Sequence, residues 1–170
     1  MFTDILVHSV QGLCSKLQDI EGTYLNYASI MCLTETWLNS THKNSDITFD
    51  SFKVFTTDRR SANCRGGVVK NDVSCEAIDL PGNDHSIEIL MLRITLRMQN
   101  LLLSAINMPT SVNVEVSKNT ICQYLRIIDQ HDDVDTVIVT GDLNENLSND
   151  KTHNLYNLLL SHGYLQLWVY

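Results

Sequence analysis

The sequence predicts a single α/β domain with mixed sheets. Short apolar runs typical of strands alternate along the chain with segments whose apolar residues recur every three or four positions, as they do on one face of a helix. The 170 residues, 44% of them hydrophobic, are enough to bury a core. Because no internal repeat or linker divides the sequence, we treat residues 1–170 as one domain.

The first part of the chain predicts a helix between two strands. Ile5 to Val7 predicts a short strand, and the next apolar residues recur at helical spacing. These residues are Leu13, Leu17, Ile20 and Tyr24. Ile30 to Leu33 then predicts a buried strand, which delivers the segment Thr34-Glu35-Thr36-Trp37 at its C-terminal end.

The middle of the chain predicts further strands. Phe52 to Thr56 alternates weakly, and Arg65-Gly66-Gly67-Val68-Val69 predicts a turn that leads into another strand. Two apolar runs, Ile87 to Ile94 and Leu101 to Ile106, are joined by the polar segment Arg97 to Asn100. That arrangement predicts a hairpin.

The last part predicts two helices around a strand. Helical spacing returns at Ile121, Tyr124, Leu125 and Ile128, with Ser117 as a candidate cap. Thr136 to Thr140 predicts a buried strand that ends in Gly141-Asp142-Leu143-Asn144. A final helix carries Leu155, Leu158 and Leu159 and ends at Gly163, and Leu165 to Val169 predicts one more strand.

Charge and cysteine content limit the classes of function. The 12 basic and 20 acidic side chains give a net charge of -8, which argues against nucleic-acid binding by electrostatics alone. The basic residues between Lys53 and Lys70 would meet a polyanion, although a solvated surface is the simpler interpretation of the charge pattern. The five cysteines contain no Cys-x-x-Cys pair, so we expect free thiols.

The sequence also indicates a cellular location. The N-terminus lacks the basic start and apolar stretch of a signal peptide, so we expect an intracellular protein, nuclear or cytoplasmic and not secreted. The longest apolar runs are strand-sized, and we expect no membrane association. Nothing in the sequence indicates a small-molecule cofactor.

Two predicted strands are each followed by a carboxylate, Glu35 and Asp142. In α/β proteins, ligands gather beyond the C-terminal ends of the strands, so these acids are candidates for one crevice. Carboxylate oxygens suit Mg²⁺, which keeps several waters for a phosphate-bearing substrate. Gly141 permits a sharp change of direction, and Asn144 offers amide groups that would either fix Asp142 or hold a phosphate oxygen. The alternative is that both acids are solvated loop residues or helix caps.

The run from Ile30 to Leu38, which contains Glu35-Thr36-Trp37-Leu38, and the later Gly-Asp-x-Asn at 141–144 resemble the two best-marked motifs of the endonuclease/exonuclease/phosphatase family. The sequence is most similar to the endonuclease domains of non-LTR retrotransposons. Three further segments fit in order and spacing: Val10 to Leu17, Asp58-Arg59 with Arg65 to Val68, and Ile87 to Leu90. The resemblance implies a four-layer α/β sandwich of the DNase I-like type.

The resemblance also implies a division of roles. Glu35 would bind the divalent metal, Mg²⁺ or Mn²⁺, and Asp142 with Asn144 would orient the attacking water and the scissile phosphate of a DNA substrate. Arg59 would lie near the nucleic-acid backbone, with an ion pair to Asp58 as the alternative. Ser9 and Asn107 occupy positions that contact substrate in the family.

The sequence departs from the family pattern in ways that bear on activity. Ser9 stands where the family usually has Asn, and Asn107 of Asn107-Met108-Pro109 stands where it has an active-site Tyr. The family's C-terminal Asp strand and Ser-Asp-His element do not occur before Tyr170, so we expect a sandwich that lacks its final strands. His8 is interpreted as a core or rim histidine, and His162 as a helix-end residue.

Three functional hypotheses follow. The first is a Mg²⁺-dependent phosphodiesterase that cleaves DNA, of retrotransposon origin and impaired in this chain. The second is a catalytically silent remnant that acts at most as a nucleic-acid or protein binding module. The third is an unrelated acidic α/β binding module in which Glu35 and Asp142 cap helices, and the pair of motifs argues against it.

Overall fold

The computed structural model describes residues 4–38, 42, 47–57, 64–70, 72–80, 87–97, 99–109, 111–143 and 154–163. Within these residues the chain forms eight strands and three helices. In order they are β1 (Ile5–Ser9), α1 (Leu17–Thr23), β2 (Ile30–Leu38), β3 (Phe52–Thr57), β4 (Cys64–Lys70), β5 (Ser74–Ile78), β6 (Glu88–Leu96), β7 (Gln99–Asn107), α2 (Val114–Ile128), β8 (Thr136–Asp142) and α3 (Asn154–Ser161).

The strands form two four-stranded sheets, in the orders β1-β2-β4-β3 and β5-β6-β7-β8. Each sheet contains one parallel pair, β1 with β2 and β7 with β8, and the other neighbours are antiparallel. A parallel pair needs a crossover connection, which usually contains a helix. Helix α1 lies in the connection between β1 and β2, and α2 lies in that between β7 and β8.

The core lies in three apolar layers, which make the molecule a four-layer sandwich. On β2, Met31 and Leu33 pack in a cluster with Ile20 of α1, whereas Ile30 and Cys32 pack in the layer between the two sheets. This is the alternation that a strand buried on both faces requires. A third cluster joins the outer face of the second sheet to α2 and α3. The predicted α/β sandwich is therefore confirmed.

The structure confirms most of the predicted elements. Strands occupy the predicted segments from Ile5, Ile30, Phe52 and Thr136, and the predicted hairpin is β6 with β7. Helix α3 ends at Ser161, two residues before the predicted end at Gly163, which has a φ of +82°. The predicted strand Leu165 to Val169 lies outside the described residues. Strand β5 was not predicted, and β8 is half-buried rather than buried because only β7, among the described strands, pairs with it.

The prediction of a turn at Gly66 and Gly67 is wrong. Both glycines lie inside β4, where Gly67 pairs with Cys32 of β2 on one side and with Phe55 of β3 on the other. Ladders on both sides satisfy the backbone polar groups of the strand, and this tertiary pairing outweighs the weak strand propensity of glycine.

The start of α1 and the cap of α2 also differ from prediction. Helix α1 begins at Leu17 rather than near Leu13, because hydrogen bonds from the backbone N–H groups of residues 10, 12 and 13 to carbonyls of β2 hold the segment before it in a non-helical conformation. Ser117 is not the cap of α2. That role belongs to Asn113, whose side-chain oxygen accepts a hydrogen bond from the N–H of Glu115 at 2.8 Å.

Candidate active site at the strand ends

Ser9 and Glu35 meet at the carboxyl end of the parallel pair β1–β2. The last paired residues are Ser9 and Thr34, and Glu35 follows directly. The Ser9 hydroxyl donates a hydrogen bond to Glu35 Oε2 at 2.6 Å, a length typical of a hydroxyl bound to a carboxylate. Ser9 is exposed and Glu35 half-buried, so the pair lies at the surface. The structure thus brings together two of the predicted site residues.

The backbone at Glu35 is held in an unusual conformation. Its φ is +54°, in the left-handed region that residues other than glycine seldom adopt. Hydrogen bonds from the preceding loop hold it there: the N–H of Gly12 donates to the carbonyl of Glu35 at 2.9 Å, and that of Val10 donates to Thr34 at 3.0 Å. Strain of this kind concentrates at functional sites. The loop after β1 therefore positions the carboxylate of β2.

The second sheet ends in a row of three polar residues, Glu88 of β6, Asn107 of β7 and Asp142 of β8. Asn107 pairs in register with Glu88 on one side and with Asp142 on the other. Directly opposite residues project from the same face of a sheet. That face is the one whose apolar residues, including Leu90 and Ala105, pack in the layer between the sheets. The row therefore lies at the end of that layer.

Glu88 is buried, with 3% of its surface exposed, and its Oε2 accepts a hydrogen bond from Asn107 Nδ2 at 3.3 Å. Because a carboxylate only accepts, this contact orients the amide nitrogen of Asn107 toward β6. The sequence analysis did not identify Glu88 as a site residue. The available signal was a charged residue inside the apolar run that begins at Ile87.

Gly141 brings the backbone of β8 close to β7 immediately before Asp142. Its φ is +126°, and a Cβ placed there would lie 1.9 Å from the carbonyl oxygen of Ile106. The carbonyl of Asp142 then accepts a hydrogen bond from the N–H of Met108 at 2.8 Å. The glycine therefore fixes the backbone of Asp142 against the end of β7.

Two predicted site residues, Asn144 and Arg59, lie outside the described residues. The two histidines considered in the sequence analysis have structural contacts. The ring of His8, half-buried, packs at a tilt against Tyr24 with centroids 4.9 Å apart, and His162 follows α3 with its Nδ1 3.8 Å from Asp129 Oδ2. These contacts agree with the interpretation of His8 as a rim residue and of His162 as a helix-end residue.

The donor groups at these strand ends fit a hard cation. They are carboxylate, amide and hydroxyl oxygens, which Mg²⁺ prefers, and Mg²⁺ binds through one or two carboxylates while it keeps its waters. Within the described part of the chain, no three His, Cys, Asp or Glu side chains are grouped so as to hold a metal.

Among the described residues, no helix is both long enough and apolar enough to cross a bilayer. Neither a protein-family model nor a curated protein sequence matches the chain.

Solved structures do match it. The endonuclease domain of TRAS1, a telomere-specific non-LTR retrotransposon, is 16% identical with a TM-score of 0.68, over 95% of this chain and 72% of that one. D. rerio TDP2 complexed with a single-strand DNA product is 18% identical with a TM-score of 0.55, over 84% of this chain and 61% of that one. An AP endonuclease from Archaeoglobus fulgidus is 14% identical with a TM-score of 0.57, over 84% of this chain and 58% of that one.

The chain spans less than two thirds of the TDP2 and AP endonuclease chains. At these identities the likeness concerns the fold, and it agrees with the two sheets and the helical layers described above. The chain therefore has the endonuclease/exonuclease/phosphatase fold, also called DNase I-like.

Proposed function

We propose that this domain is a divalent-metal-dependent phosphodiesterase of retrotransposon origin that acts on DNA inside the cell, in the nucleus or cytoplasm, with low activity. The observation that carries the proposal is that a carboxylate lies at the carboxyl end of the parallel pair in each sheet, Glu35 on one and Asp142 on the other. Ligands of layered α/β proteins gather at such ends. The TRAS1 endonuclease domain, with a TM-score of 0.68, supports the choice of reaction class.

Glu35 holds the metal, Mg²⁺ or Mn²⁺, in this proposal. When bound, the metal polarises a phosphoryl oxygen and neutralises charge that develops in the transition state. The Ser9 hydroxyl, 2.6 Å from Glu35 Oε2, fixes the orientation of the carboxylate. The left-handed backbone of Glu35 fixes its position, so that the side chain needs little reorganisation when it binds.

Asp142 and Asn144 act on the water and the phosphate. The Asp142 carboxylate accepts a proton from the attacking water, and the Asn144 amide donates to a phosphate oxygen. Asn107 contributes a substrate contact beside Asp142, and Arg59 binds the DNA backbone.

Two substitutions relative to the family explain why we propose low activity. Ser9 offers one hydroxyl where the family has an amide, and Asn107 offers an amide where the family has a phenol. Losing a single charge-stabilising donor typically slows a reaction by about 10²- to 10³-fold. The contact of the Asn107 amide with Glu88 favours the second candidate function, a domain that binds DNA without cleaving it.

A plasmid-nicking assay with Mg²⁺ tests the proposal. Wild type should convert supercoiled plasmid slowly, and Glu35→Gln and Asp142→Asn should each be at least about tenfold slower, since each removes a charged group at the reacting phosphate. Equal nicking by all three proteins would identify a contaminant and overturn the proposal. Absence of nicking by wild type, with retained DNA binding, would replace it with the second candidate.

A further inference from the structure

Trp37 is exposed beside the candidate site. Tryptophan is usually well buried, yet 54% of the surface of Trp37 is accessible. It follows Glu35 by two positions, and the residues on either side of it, Thr36 and Leu38, are buried. Two residues of backbone span at most about 7 Å, so the Cα of Trp37 lies within that distance of the Cα of Glu35.

The indole is held in place although it is exposed. Its backbone φ is +54°, like that of Glu35, and the hydrogen bond from Leu13 N–H to the carbonyl of Thr36, 2.8 Å, fixes the strand just before it. One edge of the ring packs on Gly12, where a Cβ would lie 3.0 Å from Trp37 Cε3. Gly12, with a φ of +96°, therefore leaves the space that this edge of the ring occupies.

From these observations we infer that an unpaired base of a bound DNA strand stacks on the ring of Trp37, which forms a base platform. The base lies next to the phosphate at which Glu35 holds the metal in the proposed function. The inference rests on the proposed function, which it extends by naming a base-binding position. An aromatic ring that is already positioned binds a base at little entropic cost, and it accepts any base because each has a flat face.

The charge of the chain favours stacking over an electrostatic contact. With a net charge of -8, the protein has little general attraction for phosphate. Stacking does not depend on counterion release, whereas contacts to phosphate weaken steeply with salt. The contribution of Trp37 to binding should therefore be the same at low and at moderate salt.

The experiment measures binding without cleavage. Fluorescence anisotropy of a labelled single-stranded oligothymidylate is recorded in EDTA at low and moderate salt, with wild type, Trp37→Ala and Trp37→Phe. Trp37→Ala should weaken binding about tenfold at both salt concentrations, and Trp37→Phe, which keeps a ring, should recover most of the affinity. Thermal melts establish that each variant is folded.

Tyr27→Ala is the matched control. Tyr27 is also an exposed aromatic, 78% accessible, but it precedes β2 and so lies near the strand's opposite end. We expect it to leave binding unchanged. Equal binding by wild type and Trp37→Ala, equal losses in Trp37→Ala and Tyr27→Ala, or no binding of single strands by wild type would overturn the inference.

The outcome separates this inference from the proposed function. A loss of binding in Trp37→Ala, together with no nicking by wild type, would support the base platform and remove the catalytic proposal. Nicking that depends on Glu35, together with unchanged binding in Trp37→Ala, would support the catalytic proposal and overturn the base platform.

Discussion

At the residue scale, the proposed function predicts that the magnesium requirement depends on the contact between Ser9 and Glu35. Ser9→Ala removes the donor that lies 2.6 Å from Glu35 Oε2. Loss of a group that orients a metal ligand typically lowers metal affinity about 10- to 100-fold. We therefore expect half-maximal nicking to require at least about tenfold more Mg²⁺, measured by magnesium titration of the nicking rate.

Ser15→Ala is the control for this prediction. The Ser15 hydroxyl donates to the carbonyl of Gly12 in the same loop and not to the carboxylate, so its loss should leave the magnesium requirement unchanged. Ser9→Asn, which restores the family's amide, should raise the rate. A magnesium requirement that is the same in wild type and Ser9→Ala would show that the hydroxyl has no role in metal binding.

Asn107 separates two carboxylates, and this makes the site sensitive to added charge. Asn107→Asp would place a third carboxylate directly opposite both Glu88 and Asp142. Like charges at such positions destabilise a sheet, by about 1 kcal/mol. They also raise the pKa of the introduced carboxyl in the folded state, so the stability difference from wild type should grow as the pH rises from about 4 to about 7.5.

Urea unfolding at both pH values measures this effect. Gln99→Glu on the same strand is the control, because Gln99 is exposed at the other end of β7 and pairs with Leu96. It should show no comparable dependence on pH. If the destabilisation by Asn107→Asp were the same at both pH values, the three side chains would not be interacting through charge.

At the element scale, the close approach of β8 to β7 depends on Gly141, which has no side chain. Gly141→Ala would place a Cβ 1.9 Å from the Ile106 carbonyl oxygen, at a φ of +126° that alanine rarely adopts. Either the strands separate or the backbone before Asp142 rotates. We expect unfolding free energy to fall by about 3 kcal/mol or more, measured by urea denaturation.

Gly22→Ala in α1 should instead raise the free energy of unfolding. Gly22 is exposed, and no atom lies within 4 Å of the position of its Cβ, so alanine adds helix propensity without a clash. The expected gain is about 0.5 kcal/mol. Equal effects of the two substitutions would contradict the close contact of β7 and β8.

At the scale of the whole molecule, the layer between the sheets protects a thiol. The structure confirms free thiols at Cys14, Cys32, Cys75 and Cys122, while the side chain of Cys64 lies outside the described residues. Cys32 is 1% exposed, and burial raises its pKa to about 12. Because the folded pKa lies above the ordinary value of 9.0, this thiol favours the folded state below pH 9, and that contribution is lost as the pH rises toward 12.

Alkylation of the native protein at about pH 8, followed by mass spectrometry, tests the packing of the two sheets. Cys14 is exposed and should react quickly, whereas Cys32 should react only when the molecule unfolds in urea. Rapid labelling of Cys32 in the native protein would mean that the two sheets do not pack over β2.

Local pattern alone was enough to predict much of this fold. The strand from Ile30, the hairpin of β6 and β7 and the helix containing Ile121 follow from apolar periodicity, because burial of one face or of both imposes that period. The turn predicted at Gly66 was wrong because the pairing of β4 with two neighbours depends on residues distant in sequence. The cap at Asn113 was missed because its side-chain contact is set by loop geometry.

The sequence by itself determined an α/β domain with mixed sheets and which residues are candidates for chemistry, since apolar spacing and short motifs are local properties. The four-layer arrangement was implied by the family resemblance. Only the tertiary structure decided that Ser9 contacts Glu35, that Glu88 joins Asn107 and Asp142 in one row, and that Trp37 is exposed. The physical reason is that contacts between strands depend on register and backbone conformation. Both are set by the packing of the whole chain.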